Sequence, residues 1–198
     1  MSLTKWIGIT GNIASGKSTV SQILSEHGYP VLDADQITHE VYRTETPENK
    51  ETRKKIESLF GTLETTKIRK LVFENIEKRK SLEAILHPYI RAQSLLWLNK
   101  QKSLNNPFAF YEASLLIEAG IPKEMFGVLL ITAKSAVRKN RLKSRNPNLS
   151  DSEVEKIMNS QASEDEKRKH ATWCIENNSD NTHELAAKVS DWLSLLKS

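Results

Sequence analysis

Apolar positions along the chain fall into short unbroken runs, separated by longer stretches whose apolar residues recur at helical spacing. The first run, Trp6 to Thr10, is rich in β-formers and ends against the polar string "GNIASGKS". Beyond it, Val20 to Leu24 reads as helix, so the pattern predicts a strand over 6–10 and a helix over about 17–27 that stops at Gly28. A short strand follows in "PVLDAD" (30–35), then helices over 36–43 and 48–60, the latter with Ile56, Leu59 and Phe60 on one face and Gly61 as its stop. The charged amphipathic stretch 66–86 reads as two short helices. His87-Pro88 is expected to break it, with Pro88 in the first turn of a further helix running to about Lys102. Two more strands are expected in "FAFYEASLLIEA" (108–119) and "GVLLIT" (127–132), the second with the continuous apolar character of a strand buried on both faces. A basic helix over 134–145, a helix opened by the capping box of Ser150 and Glu153, a last strand in "TWCIEN" (172–177) and a helix over 182–196 complete the pattern. Five strands alternating with helices predict an α/β fold built on a parallel sheet. The helical span from about 36 to 103 is too long for a simple crossover, which predicts an inserted helical subdomain.

Composition narrows this picture only a little. The 198 residues, 38% apolar and 27% charged, suit one compact soluble domain. No run approaches the roughly 18 apolar residues of a membrane span, and the N-terminal run is not a signal peptide, so a cytoplasmic protein is expected. The single cysteine, Cys174, excludes an internal disulfide and, in its apolar setting, is expected to be a buried core thiol. A net charge of +4 and a pI near 9.1 suit a polyphosphate ligand or a nucleic-acid surface equally. No nucleic-acid reading motif is present, and no internal repeat.

The polar string after the first strand carries the chemistry. Gly11-Asn12-Ile13-Ala14-Ser15-Gly16-Lys17-Ser18 fits G-x-x-x-x-G-K-[ST], between a strand and a helix as that motif requires. Gly11 and Gly16 let the backbone curl with N–H groups inward, and those donors with the helix N-terminus suit phosphate oxygens. Lys17 reaches the β- and γ-phosphates, the Ser18 hydroxyl can ligate Mg²⁺, and Thr19 falls near the α-phosphate. A glycine-rich turn with an incidental lysine is the bland alternative, which the flanking strand and helix weaken. The turn therefore reads as the phosphate site of a nucleoside triphosphate. A GTPase would need an N-K-x-D base-reading motif, and the nearest string, Asn99 to Lys102, lacks the acid. A small kinase fits the length better than a motor ATPase.

A kinase needs a group at the acceptor hydroxyl and cations on the transferring phosphoryl group. Asp33 and Asp35 follow the second strand, whose carboxyl end is where such sheets bind ligands. Asp33 is a candidate catalytic carboxylate; Asp35 reads as acceptor contact or as the N-cap of the next helix. Arg141 and Arg145, with Arg138, share a helical face and read as a lid over phosphates or as a solvated charged surface. Arg168 is a weaker candidate of the same kind. His87, taken alone, reads as a helix-start or packing residue. Glu112, in the third strand, could lie near the loop and hold Mg²⁺ or the acceptor.

Taken together, "IGITGNIASGKSTV", "VLDAD", "LEAILHPYI", "SLLIEAG", "RLKSRN", "SQAS" and "ATWCIENN" resemble the dephospho-coenzyme A kinase family in order and spacing over nearly the whole chain. The resemblance implies a P-loop kinase core (about 1–35, 104–140 and 170–198), a coenzyme-A-binding helical subdomain (36–103) and a lid (141–169). It implies transfer of the ATP γ-phosphoryl group, with Mg²⁺, to the ribose 3′-hydroxyl of dephospho-CoA. Carried over by residue, Gly11 to Thr19 bind ATP, Asp33 acts on the 3′-hydroxyl, His87-Pro88 matches a signature of the acceptor subdomain, and Arg141 and Arg145 match lid arginines. The expected partner is this small molecule, without nucleic acid or membrane, in a monomer or small homo-oligomer. Three departures stand out: Asn12 and Ala14 replace loop glycines, Glu112-Ala113-Ser114 replaces an acidic-x-Pro, and Thr65 stands where the family carries arginine. Another small-molecule kinase of this core, or a nucleotide-dependent nucleic-acid-binding protein, are the rival readings.

Overall fold

The computed structural model describes residues 4–197. Its strands are β1 (Lys5–Thr10), β2 (Val31–Asp33), β3 (Phe108–Glu112), β4 (Gly127–Thr132) and β5 (Trp173–Glu176), in the spatial order β2-β3-β1-β4-β5. β1 runs parallel to both β3 and β4, with Ile9 opposite Glu112 on one side and Leu129 on the other, and β4 runs parallel to β5. The unbroken apolar runs of β1, β3 and β4 are buried along almost their whole length, as strands covered on both faces must be. The fold is therefore the expected five-stranded parallel α/β sheet. β1 is central and the chain leaves it in both directions, to β2 and β3 and then to β4 and β5. In such sheets the crevice at the carboxyl ends beside this reversal takes the ligand.

One face of the sheet is covered by α1 (Lys17–Glu26) and α9 (Thr182–Lys197). Val20, Ile23 and Leu24 of α1 meet Leu185, Val189, Trp192, Leu193 and Leu196 of α9 over Ile7, Ile9, Phe110, Leu129 and Ile131. The Phe110 ring lies 5.6 Å from Tyr29 and 5.9 Å from Trp192, so aromatic edges close this layer. On the opposite face Gly8 lets the segment after β3 come close: a Cβ there would sit 2.4 Å from Leu116 and 3.0 Å from Met125 Sδ.

The chain divides into two compact units, one formed by residues up to Leu32 with those from Gln101 onward, the other by Asp33–Lys100. The second unit holds α2 (Ala34–Arg43), α3 (Lys50–Phe60), α4 (Thr65–Glu74) and most of α5 (Ile76–Ser103). Its own core is Val41, Ile56, Ile68 and Leu86, with Tyr42, Phe60, Val72, Tyr89 and Ile90 packed around it. The first unit continues through α6 (Ser135–Arg145), α7 (Asp151–Asn159) and α8 (Glu164–Lys169). Residues 1–3 and 198 of the expected core range lie outside the described residues.

Several sequence expectations are corrected. His87-Pro88 does not break a helix, because α5 runs unbroken through it. Pro88 and Ala84 are both exposed, so the carbonyl that loses its i+4 donor can bond water, while Leu86, Tyr89 and Ile90 pack on both sides of the proline. Cys174 is exposed rather than buried. β5 is an edge strand, and along it Ile175 faces the core while Cys174 and Glu176 face out. β3 ends at Glu112, and the apolar residues after it form turns. The apolar pattern does not predict α8: its six residues are all charged, and Ser163 starts it by accepting from the Glu166 N–H.

Candidate active site

The loop between β1 and α1 curls as its glycines require. Gly11 and Gly16 have φ of 155° and 103°. A Cβ on Gly11 would meet Ile131 O at 2.2 Å and Ser15 Oγ at 2.7 Å, and one on Gly16 would meet Asn177 Nδ2 at 2.2 Å. Between them Ala14 takes the left-handed conformation at φ 61°, which costs a non-glycine residue about 1 kcal/mol. The Ser15 N–H donates to Asn12 O at 3.1 Å, and Asn177 Nδ2 donates to Ser15 O at 2.8 Å, so the loop is fixed from within and from the end of β5. Lys17 is buried, Ser18 exposed and Thr19 half-buried at the start of α1.

This cradle fits a phosphate chain. Gly16 gives α1 no capping side chain, so the helix end offers the Ser18 and Thr19 N–H groups no capping acceptor. The Ser15 hydroxyl is fully buried without a hydrogen-bond partner among the described residues. The glycine walls leave no space that a side chain could fill. A hard cation also fits, since Mg²⁺ needs few protein ligands when substrate phosphates and water supply the rest. Ser18 offers one hydroxyl, and the described residues contain no cluster of three or more His, Cys, Asp or Glu that would hold a metal alone.

Beside the loop lies a cleft of about 150 Å³ lined by Gly16, Thr19, Arg141, Arg145, Asn177 and the turn after β5. Arg141 is tied into its wall. Its Nε donates to Asp180 at 2.8 Å, its Nη1 to Asn177 O at 3.0 Å and to Ala14 O at 3.4 Å, and its Nη2 to Ser179 O at 2.7 Å. Arg145, one turn on, is exposed at the end of α6. Arg168 forks onto Glu164 at 2.8 and 3.1 Å instead of facing the cleft. Arg138 donates to Ala133 O at 3.1 Å, and burial holds its guanidinium below the usual arginine range. Glu112 ends β3 half-buried, one strand away from β1.

In the second unit Asp33, and not Asp35, is the N-cap of α2: its Oδ1 accepts from the Asp35 N–H at 2.8 Å. Asp33 is half-buried and Asp35 exposed in the first turn. His87 is half-buried within α5, and Thr65 is the exposed first residue of α4. Asn49 is almost fully buried and pins the α2–α3 turn, accepting from the Thr46 N–H at 2.9 Å and donating to Thr44 O at 2.8 Å. Burial, then the charges of Glu40 and Glu48, push the Tyr89 hydroxyl above its ordinary value. Sequence reasoning missed Asn177, although it stands in the quoted "WCIENN": nothing in an Asn pair after a strand says that one member reaches back to Ser15.

A parallel sheet of this order, with a G-x-x-x-x-G-K-S loop leaving its central strand and arginines on a flanking helix, defines a kinase of the P-loop class. A family model described as dephospho-CoA kinase matches residues 5–183. A dephospho-CoA kinase of Thermus thermophilus is 40% identical over 86% of this chain and 82% of its own length, and that of Bdellovibrio bacteriovorus 35% identical over 98% of each. The crystal structure of TT1252 from Thermus thermophilus superposes with a TM-score of 0.77 at 37% identity, covering 97% of this chain and 98% of that one. The chain belongs to the dephospho-CoA kinase family.

Proposed function

We propose that this protein transfers the γ-phosphoryl group of ATP to the ribose 3′-hydroxyl of dephospho-CoA, giving coenzyme A and ADP. The observation that carries this is the glycine-walled loop with a buried lysine at the head of α1, in a chain of this family. The N–H groups at the start of α1 take the phosphate oxygens, and Lys17 neutralises charge on the β- and γ-phosphates. The cleft beside Thr19 and Asn177 takes the nucleoside, with Arg141 as its wall and Arg145 free to close on phosphate. The region 141–169 then serves as lid and the helical unit as the acceptor domain. Asp33 orients the 3′-hydroxyl and accepts its proton as that oxygen attacks phosphorus. The bond from Pγ to the bridging oxygen breaks in line, and ADP leaves. Asp35, His87 and Glu112 contribute to the acceptor side. Mg²⁺, held by Ser18 and the phosphates, would screen charge on the β- and γ-oxygens. On this reading the protein works in the cytoplasm on a small molecule, without nucleic acid or membrane, as a monomer or small homo-oligomer.

The test is ADP release from Mg-ATP with dephospho-CoA, the product identified by mass spectrometry. Coenzyme A should appear, with no comparable turnover of adenosine, AMP or shikimate. Lys17→Ala should abolish turnover, and Asp33→Asn should keep ATP binding while losing most of the rate. Turnover surviving Lys17→Ala, or unchanged in Asp33→Asn, refutes the role given to that residue.

A further inference from the structure

The tip of the phosphate loop, Asn12 to Ala14, is gripped from a segment far along the chain. Gln161 Oε1 accepts from the Ile13 N–H at 2.7 Å, and Asn12 Nδ2 donates to Ala162 O at 2.9 Å. Both partners lie in the short connection between α7 and α8. That connection is itself anchored: the Ala162 N–H donates to Glu118 at 3.1 Å, and Glu118 pairs at 3.0 Å with Lys167, whose fully buried ammonium also donates to Ser114 O at 3.0 Å. On its other flank the tip is held by apolar packing, with Ile13 and Ala14 against Leu142, Val154, Leu149, Ile157 and Met158 of the α6–α7 region.

We infer that Asn12 and Gln161 are positioning residues, a two-point latch that holds the loop tip in the strained conformation that presents its donors to phosphate. Three observations converge on this. Ala14 sits at φ 61°, a conformation that a free loop of ordinary residues abandons, so something must hold it. The two latch bonds are made by Asn12 and Ile13, the two residues just before it. The connection that supplies both partners is itself fixed, through Glu118 and the buried Lys167. Because the same connection joins α7 to α8, it ties loop geometry to the position of those helices. The inference deepens the ATP-site reading and rests on it.

The test uses the full chain. Gln161→Ala, Asn12→Gly and the double variant are compared with the parent in three readouts: melting temperature without nucleotide, amide exchange of residues 11–16 without nucleotide, and ATP Kd by calorimetry. A latch predicts faster exchange in 11–16 for each single variant and an ATP Kd raised about 3- to 10-fold by each, the worth of one hydrogen bond. Gln161→Glu keeps the acceptor and should restore exchange protection, which a general folding defect would not. The double variant should weaken ATP by less than the product of the two single effects, since loss of one point already frees the tip. Parent binding of ATP with unchanged Kd and exchange in the variants overturns the latch alone. A parent that binds no ATP overturns the nucleotide site and the latch together. Weaker binding with unchanged exchange in 11–16 also overturns the latch, because the loss would not run through the loop tip.

Discussion

Replacing Gly16 by alanine probes the phosphate loop where its backbone leaves least room. The new Cβ would sit 2.2 Å from Asn177 Nδ2, inside any real contact distance, at a φ of 103°. Two costs follow. A side chain in left-handed backbone costs about 1–2 kcal/mol. Asn177 must also withdraw, giving up its 2.8 Å bond to Ser15 O in a buried setting, which costs about 1–3 kcal/mol. The expected loss is therefore about 3 kcal/mol, a fall in Tm of roughly 6–12 °C for a chain of this size. Gly28→Ala is the internal control. Gly28 has φ 81° and nothing within 4 Å of the point where a methyl group would stand, so it should show the backbone cost alone. Differential scanning calorimetry without nucleotide measures both variants and keeps stability separate from binding. Gly16→Ala combined with Asn177→Ala should cost less than the sum of the two single changes, because removing the amide removes the clash. If Gly16→Ala costs no more than Gly28→Ala, or the double variant is strictly additive, the steric account of this turn is wrong.

Other parts of the molecule give equally direct tests. Cys174 should react with a thiol reagent in the native protein at one equivalent per chain; reaction only after denaturation would contradict its outward placement on β5. The Ser150 hydroxyl and N–H donate to Glu153 at 2.6 and 2.9 Å and hold its carboxyl below the usual glutamate range. The folded value being the lower one, that contribution is complete above the unfolded value of about 4.3 and is lost as pH falls through the folded value. Amide exchange at the start of α7 should therefore accelerate at low pH beyond its intrinsic rate, and Ser150→Ala, which removes the hydroxyl and keeps the N–H donor, should reduce the excess; an excess unaltered in Ser150→Ala would disprove the link. Pro88→Ala restores a donor that can reach Ala84 O inside α5 and should raise Tm by about 2–8 °C, net of the greater freedom of the unfolded chain. A lower Tm would mean that the proline is favoured by its packing.

The sequence made the loop-bearing part of the fold readable because one motif fixes both conformation and surroundings. Gly11 to Ser18 demands a strand before it and a helix after it, and β1 and α1 lie within a residue of the expected places. The capping box at Ser150 and Glu153 was legible for the same reason: its partners are local. Features decided by distant neighbours were not. Whether Cys174 faces in or out depends on β5 lying at the sheet edge. Whether Asp33 or Asp35 caps α2 depends on where the strand lets go of the chain. Pro88 reads as a break because its ring removes a donor, but whether that loss ends a helix depends on water reaching Ala84. The buried ammonium of Lys167 sits in "EDEKRK", a string that reads as solvated surface until Glu118 and Ser114 O are brought to it.

The central place of β1 has a consequence for the birth of the protein. β1 is made first, yet both strands that flank it, β3 and β4, lie more than 95 residues later, beyond the whole helical unit. At about 5–20 residues per second, a ribosome leaves both edges of this apolar strand unpaired for several seconds. Asp33–Lys100, which carries its own apolar cluster, emerges in that interval and can condense on its own, while the sheet waits. A nascent chain of this protein thus has its helical unit available early and its phosphate loop late, and a holdase that shields exposed strand edges would find its target in β1.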